Sequence, residues 1–231
     1  MIPWLAEPDF PPVERALAEP NGLLAAGGTL EPAWLLSAYR RGIFPWFSTG
    51  EPILWWSPDP RMVLYPAQVK VSRSLAKTLR QGRFEVRFDT DFAAVISACG
   101  ELRADAGGTW ITPQMVSAYC RLHELGYAHS VECWKDGALV GGVYGVAIDK
   151  AFFGESMFSL ARDASKVALV HLARRLERLG FGVIDCQMTT SHLQSMGGVE
   201  IPRSRFIDTL GALIGPQPAP QRWTQTPSPE G

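Results

Sequence analysis

From Phe84 to Phe88 the chain reads FEVRF, with Phe84, Val86 and Phe88 alternating against Glu85 and Arg87, and this two-residue period predicts a half-buried strand. The period then lengthens. Thr90 or Asp91 is placed to cap a helix over DFAAVISAC, and Thr112 followed by Pro113 opens a second helix that runs to Leu125 and stops at Gly126. Three short apolar runs follow, HSVECW, ALVGGVYGVAI and AFFGESM, joined by Lys135-Asp136-Gly137 and by Asp149-Lys150; their lengths and turn residues predict an antiparallel meander. Asp163 or Ser165 then starts a long helix to Gly180, with Ala164, Val167, Ala168, His171, Leu172, Leu176 and Leu179 on one face and Arg174, Arg175 and Arg178 largely off it. The strand VIDCQ comes next, and a helix-like segment closes the regular part.

Before Phe84 the chain is richer in Pro, Gly and Trp, with a helix-like patch at PAWLLSAYRR (32–41) and another over VSRSLAKTLRQG, where Val71, Leu75 and Leu79 are expected to face inward. After it, GPQPAPQRWTQTPSPEG has the composition of a loose tail. At 231 residues and 46 % hydrophobic content there is ample material for a buried core. The 22 Lys plus Arg nearly balance the 23 Asp plus Glu, so any anionic partner has to be met by a local patch. Such a patch exists: between Arg61 and Phe88 there are seven basic residues against the single acid Glu85, and Arg73, Lys77 and Arg80 fall on one helix face, as a solvated surface or as a phosphate-backbone track. The first dozen residues lack Lys and Arg and hold four prolines, unlike a signal peptide, and ALVGGVYGVAI is too short to span a bilayer, so a cytoplasmic protein with no membrane partner is expected. Cys99, Cys120, Cys133 and Cys186 show no CxxC spacing, which predicts free thiols rather than a zinc site or disulfides.

The order strand, helix, helix, three antiparallel strands, long helix, strand resembles the N-acyltransferase fold of the acetyl-CoA-dependent N-acetyltransferases. In those enzymes a Gly-rich basic loop before the long helix cradles the CoA pyrophosphate on backbone N–H groups. Here the connection is GESMFSLARDASK, with one Gly and the acids Glu155 and Asp163. It makes a poor pyrophosphate cradle and points to a different acyl donor.

Strand alternation puts Val183, Asp185 and Gln187 on one face of VIDCQ and Ile184 and Cys186 on the other. A carboxylate in a greasy strand costs several kcal/mol unless it is paired, so Asp185 is either a scaffold residue satisfied locally or a working one. Glu155, in FFGESMF, is placed to bind a substrate ammonium or to sit as a surface carboxylate near a helix start, and Gly154 beside it permits a ligand's close approach or a bulge. The aromatics of FPWF, LWWSPDPR and GGTWIT suit a core, an interface or an apolar pocket. Cys186 faces away from Asp185 with nothing to lower its pKa, so a thiol nucleophile paired with His192 is not supported.

At these residues the chain resembles the bacterial leucyl/phenylalanyl-tRNA-protein transferases. The resemblance is carried by NGLLAAGGTLEPAWLLSAYRRGIFPWF, ILWWSPDPRMVL, GGTWITPQMVSAYCRLHELGYAHSVECW, VGGVYGVAIDKAFFGESMFS, DASKVAL, IDCQ and HLQSMGGVEIPR. It implies an α+β chain in which a small N-terminal domain (1–62) packs on an N-acyltransferase-like domain with a mostly antiparallel central sheet (63–215), leaving a Pro-rich tail (216–231). The implied activity moves Leu, Phe and, less well, Met from aminoacyl-tRNA to proteins beginning with Arg or Lys, marking them for degradation, with neither metal nor CoA. Matched motif by motif, IDCQ supplies Asp185 and Gln187 as catalytic residues, and FFGESMFS supplies Glu155 with pocket residues Phe152, Gly154, Met157 and Ser159. FPWF and GGTWIT supply Trp46 and Trp110 as pocket walls. In the mechanism expected from this, Asp185 holds Gln187, Gln187 touches the incoming amine, and Glu155 contacts the amino group of the transferred residue.

Overall fold

The computed structural model describes residues 2–105 and 109–223, without the side chains of 104 and 105. In chain order it forms β1 (Trp4–Leu5), β2 (Leu23–Gly27), α1 (Pro32–Arg40), β3 (Phe44–Pro45), β4 (Leu54–Trp56), β5 (Arg61–Leu64), α2 (Arg73–Arg80), β6 (Glu85–Phe88), α3 (Phe92–Asp105), α4 (Pro113–Glu124), β7 (Ala128–Lys135), β8 (Ala138–Ile148), β9 (Ala151–Ser159), α5 (Ala164–Arg178), β10 (Val183–Gln187), α6 (Ser191–Ser195), β11 (Val199–Ile201) and α7 (Arg203–Leu213). A small sheet of order β1-β2-β4-β3 sits beside a seven-stranded sheet of order β11-β5-β10-β9-β8-β7-β6. The result is a mixed α+β chain whose large sheet is antiparallel except where β10 runs parallel to β9. That sheet takes in β5 from Arg61, so it begins two residues before the change of domain expected at 62/63.

The local signals explain most of the elements. Thr112 caps α4 by accepting the N–H of Met115 at 3.2 Å, Pro113 fills the first turn, and Gly126 leaves with φ +83°. Asp91 caps α3 through Ala94, and the buried carboxylate of Glu132 takes the N–H groups of Thr90 and Asp91 that the helix start leaves unpaired. Asp136 and Gly137, both at positive φ, close the β7–β8 hairpin. Two expectations shift. Val71 is exposed because α2 starts only after its cap Ser72, while Leu75 and Leu79 pack inward as expected, joined by Thr78, whose hydroxyl reaches Asp163. On α5, Leu169, Val170 and Ala173 are buried as well, while Leu179 lies beyond the helix and is 39 % exposed.

One core joins the small sheet, α1, α3, α4 and α7 on one face of the large sheet; a second joins α2, α5 and the other face. The segment expected as a loose tail is docked as far as Trp223. Trp223 is 2 % exposed, stacks on His129 at 4.1 Å and on Phe152 at 5.8 Å, and its carbonyl accepts from Arg175. A single buried indole offsets the poor propensity of a Pro-rich segment. Residues 224–231 of that tail lie outside the described residues.

Candidate active site

The parallel pair β9–β10 is in register from Val183–Ala151 to Asp185–Phe153 and ends there. Each strand then carries an irregularity. On β9 the register against β8 slips so that Glu155 has no partner of its own, and on β10 it slips between Asp185 and Gln187, with Gln187 at φ +63°. The strands part, and a cavity of about 370 Å³ opens between them. At Gly154 an added Cβ would stand 3.3 Å from the Asp185 carbonyl, so the two backbones approach with no side chain between them just before they diverge.

The two bulges aim Glu155 and Gln187 at each other: the Gln187 amide donates to Glu155 Oε1 at 2.9 Å. Glu155 also accepts from the hydroxyl of Tyr39 on α1 at 2.6 Å and from that of Tyr119 on α4 at 3.1 Å, and the two tyrosine hydroxyls contact each other. Its donors are all neutral. Burial raises the Glu155 carboxyl to about 7, the nearby charge of Asp185 pushes the same way, and the Tyr39, Tyr119 and Gln187 hydrogen bonds pull against them. Burial and the same carboxylate drive both tyrosines well above their ordinary value, so they remain donors.

Asp185 has a different setting. Arg61 on β5 grips it with Nε and Nη2 at 2.8 and 2.7 Å, both side chains are fully buried, and the guanidinium lies between the rings of Phe44 and Phe206 at 4.9 and 4.7 Å. Oδ1 of Asp185 additionally accepts the backbone N–H of Gln187 at 2.9 Å. The alternation-based expectation that Asp185 and Gln187 meet as side chains on one face is therefore corrected. The bulge separates them, and Asp185 holds the Gln187 backbone in its left-handed turn without itself lining the cavity.

Of the remaining expected residues, Trp46, Trp110, Gly154 and Met157 line the cavity. Phe152 does not. It lies on the strand before the bulge and packs into the α5-side core under Trp223. Ser159 does not either; it is at the exposed end of β9, donating to Ala161 O and accepting the N–H of Ser165 at the start of α5. Gly107 and Gly108 of the GGTWIT motif lie outside the described residues. Arg73, Lys77 and Arg80 are exposed on α2, away from the cavity lining. Cys186 lines the cavity with its thiol pushed up by burial, and burial lowers His192, so neither supplies a charged nucleophile pair. Sequence reasoning missed Arg61, Tyr39, Tyr119, Ser156 and Arg103. The one local signal was a tyrosine hydroxyl on the inward faces of PAWLLSAYRR and PQMVSAYC. The cavity lining includes the aliphatic and thioether side chains of Val143, Met157, Leu169, Leu172, Ile184 and Leu193 and the aromatic rings of Phe44, Trp46 and Trp110. Among the described residues there is no cluster of three or more His, Cys, Asp or Glu able to hold a metal, and no helix long and apolar enough to cross a membrane.

A slot lined by apolar side chains beside a carboxylate–amide pair, set between diverging strands of an α+β fold, has the parts to seat an apolar acyl group next to an amine. The comparisons give the particular family. The leucyl/phenylalanyl-tRNA protein transferase profile matches residues 63–211, and that of the family's N-terminal domain matches residues 28–59. The chain is 68 % identical to the leucyl/phenylalanyl-tRNA–protein transferase of Aromatoleum aromaticum over 97 % of this chain and 95 % of that one, and 66 % identical to that of Azoarcus sp. over 100 % and 98 %. A looser likeness, at 12 % identity and TM-score 0.39, is to a GCN5-related N-acetyltransferase from Kribbella flavida, covering 73 % of this chain and 60 % of that one. The chain belongs to the leucyl/phenylalanyl-tRNA protein transferase family, whose members are aminoacyltransferases.

Proposed function

We propose that the protein transfers Leu, Phe and, less efficiently, Met from aminoacyl-tRNA to the α-amino group of proteins beginning with Arg or Lys, forming a peptide bond that marks them for degradation, in the cytoplasm and with neither metal nor CoA. The observation that carries this reading is the Glu155–Gln187 contact where β9 and β10 part, at the foot of an apolar slot. In such a slot one methylene is worth about 1–3 kcal/mol, which favours large unbranched or γ-branched side chains without strictly separating them.

Aminoacyl-tRNA is an activated ester, so no nucleophilic side chain is required; alignment supplies much of the rate. The acceptor amine attacks the ester carbonyl, the C–N bond forms, the C–O bond to the terminal ribose breaks, and the nitrogen loses a proton while the ribose oxygen gains one. An α-amino group has a pKa near ~8, so roughly a tenth is free base at pH 7, and after attack the nitrogen is far more acidic. With its amide N–H on Glu155, Gln187, which lines the cavity, keeps its side-chain carbonyl oxygen to accept from the incoming amine. Glu155, whose carboxyl burial raises to about 7, faces the amino group of the transferred residue. Asp185, sealed by Arg61, takes the part of a positioning residue: it holds the backbone that aims Gln187. The domain division at 1–62 and 63–215 and the tRNA track over Arg73, Lys77 and Arg80 belong to the same reading.

The test offers labelled Phe-tRNA and labelled acetyl-CoA to a peptide beginning with Arg. Label is expected to move from Phe-tRNA only. Acetylation would make the protein a CoA enzyme, and binding of Phe-tRNA without transfer would make it an RNA-binding protein.

A further inference from the structure

Among the described residues Arg103 is the only Arg or Lys that lines the cavity, and it has no carboxylate within ion-pair reach. It projects from the last turn of α3, exposed toward solvent, beside Trp110 in the cavity wall. Its position is built. Nε and Nη2 both donate to the hydroxyl of Ser156, at 3.1 and 3.0 Å, and the guanidinium lies 5.8 Å from the ring centre of Trp110. Ser156 is itself 5 % exposed and follows Glu155 on β9, so the guanidinium is fixed relative to the reaction centre. A guanidinium offers five N–H donors. Two go to Ser156, and the rest are left for an anion from outside the protein.

The geometry of the proposed reaction says which anion. With the amino acid side chain against the aliphatic lining and the ester carbonyl at Glu155 and Gln187, the aromatic lining is left for the terminal nucleoside, whose base can stack on Trp46 or Trp110. The nearest negative charge on that nucleoside is the phosphate on its 5′ side. We propose that Arg103 binds this phosphate, with Ser156 holding the guanidinium fork in place; the inference rests on the aminoacyl-tRNA reading above. A planar fork suits a phosphate better than an ammonium does, so Lys would replace Arg103 only in part.

The experiment measures dissociation constants for two non-hydrolysable donors, the 3′-phenylalanylamido adenosine with and without a 5′-phosphate. In the wild type the phosphate is expected to tighten binding about tenfold. Arg103→Gln should bring the ratio of the two constants close to one, Arg103→Lys should keep part of it, and Ser156→Ala should lower it. Because the readout is a ratio, any loss of packing on Trp110 affects both donors alike, and a urea midpoint establishes that each variant is folded. Equal affinities in the wild type, or an unchanged ratio in Arg103→Gln, overturns the proposal. Failure of both donors to bind overturns it too; the Phe-tRNA transfer assay then separates loss of this contact from failure of the wider reading.

Discussion

Asp185 and Glu155 lie on neighbouring strands, both are buried, and they have opposite partners. Asp185 is paired with one guanidinium that matches it in charge and shape; Glu155 is surrounded by three neutral donors. The Arg61 fork fixes the position of the Asp185 carboxylate. Among hydroxyls and an amide, the Glu155 carboxyl is raised by burial to about 7, with those hydrogen bonds pulling against the rise. Asp185, which motif matching marked as catalytic, is gripped by Arg61 and holds the Gln187 backbone, whereas Glu155, expected to meet a substrate ammonium, meets Tyr39, Tyr119 and Gln187.

Breaking the Arg61–Asp185 pair should have the largest effect. Asp185→Ala leaves Arg61 buried without a counter-charge, a loss of about 3–5 kcal/mol in urea unfolding. A loss under 1 kcal/mol would mean that the pair carries nothing. Next, Gln187→Ala should keep the fold while lowering single-turnover transfer about a hundredfold, the scale expected when one reactant is no longer aligned. The titration of Glu155 sharpens the contrast. Its folded value, about 7, lies above the ordinary carboxyl value of 4.5, so the native state binds the proton more tightly; its share of stability is full below 4.5 and is lost as pH rises through 7, with a ceiling of about 3 kcal/mol. Wild type should therefore lose more stability between pH 5 and pH 8 than Glu155→Gln does, as read from urea midpoints. Equal losses would remove the raised carboxyl from the account. The smallest effect belongs to α2, where charge reversal of Arg73, Lys77 or Arg80 should each weaken Phe-tRNA binding a few-fold and flatten its salt dependence by about one contact.

Much of this fold was legible because its elements are announced locally. The alternation in FEVRF, the Thr112–Pro113 helix start and the Asp136–Gly137 turn each depend on residues within a few positions of one another. Glu155 and Gln187 were readable as chemistry out of place in apolar strands. Their true relation was not, because both bulges break the alternation on which such a reading relies. Arg61 joins Asp185 across 124 residues and Tyr39 joins Glu155 across 116, and no periodicity reports contacts at that separation. Phe152 and Ser159 were carried in by neighbourhood within a motif, although the strand turns them elsewhere. Trp223 shows the same limit in a tail whose composition spoke for disorder and whose one indole decided otherwise.

The most direct test of the division between positioning residue and reaction centre replaces the ion pair by an uncharged one. In Arg61→Gln/Asp185→Asn the amide oxygen can still accept the Gln187 N–H, but no carboxylate is left there to take a proton. The measurement is single-turnover transfer of labelled Phe from saturating Phe-tRNA to a peptide beginning with Arg, with folding checked by urea midpoint. Retention of more than about a tenth of the wild-type rate is predicted, against the hundredfold loss expected of Gln187→Ala. A folded double variant as slow as Gln187→Ala would contradict the account and return the proton to Asp185.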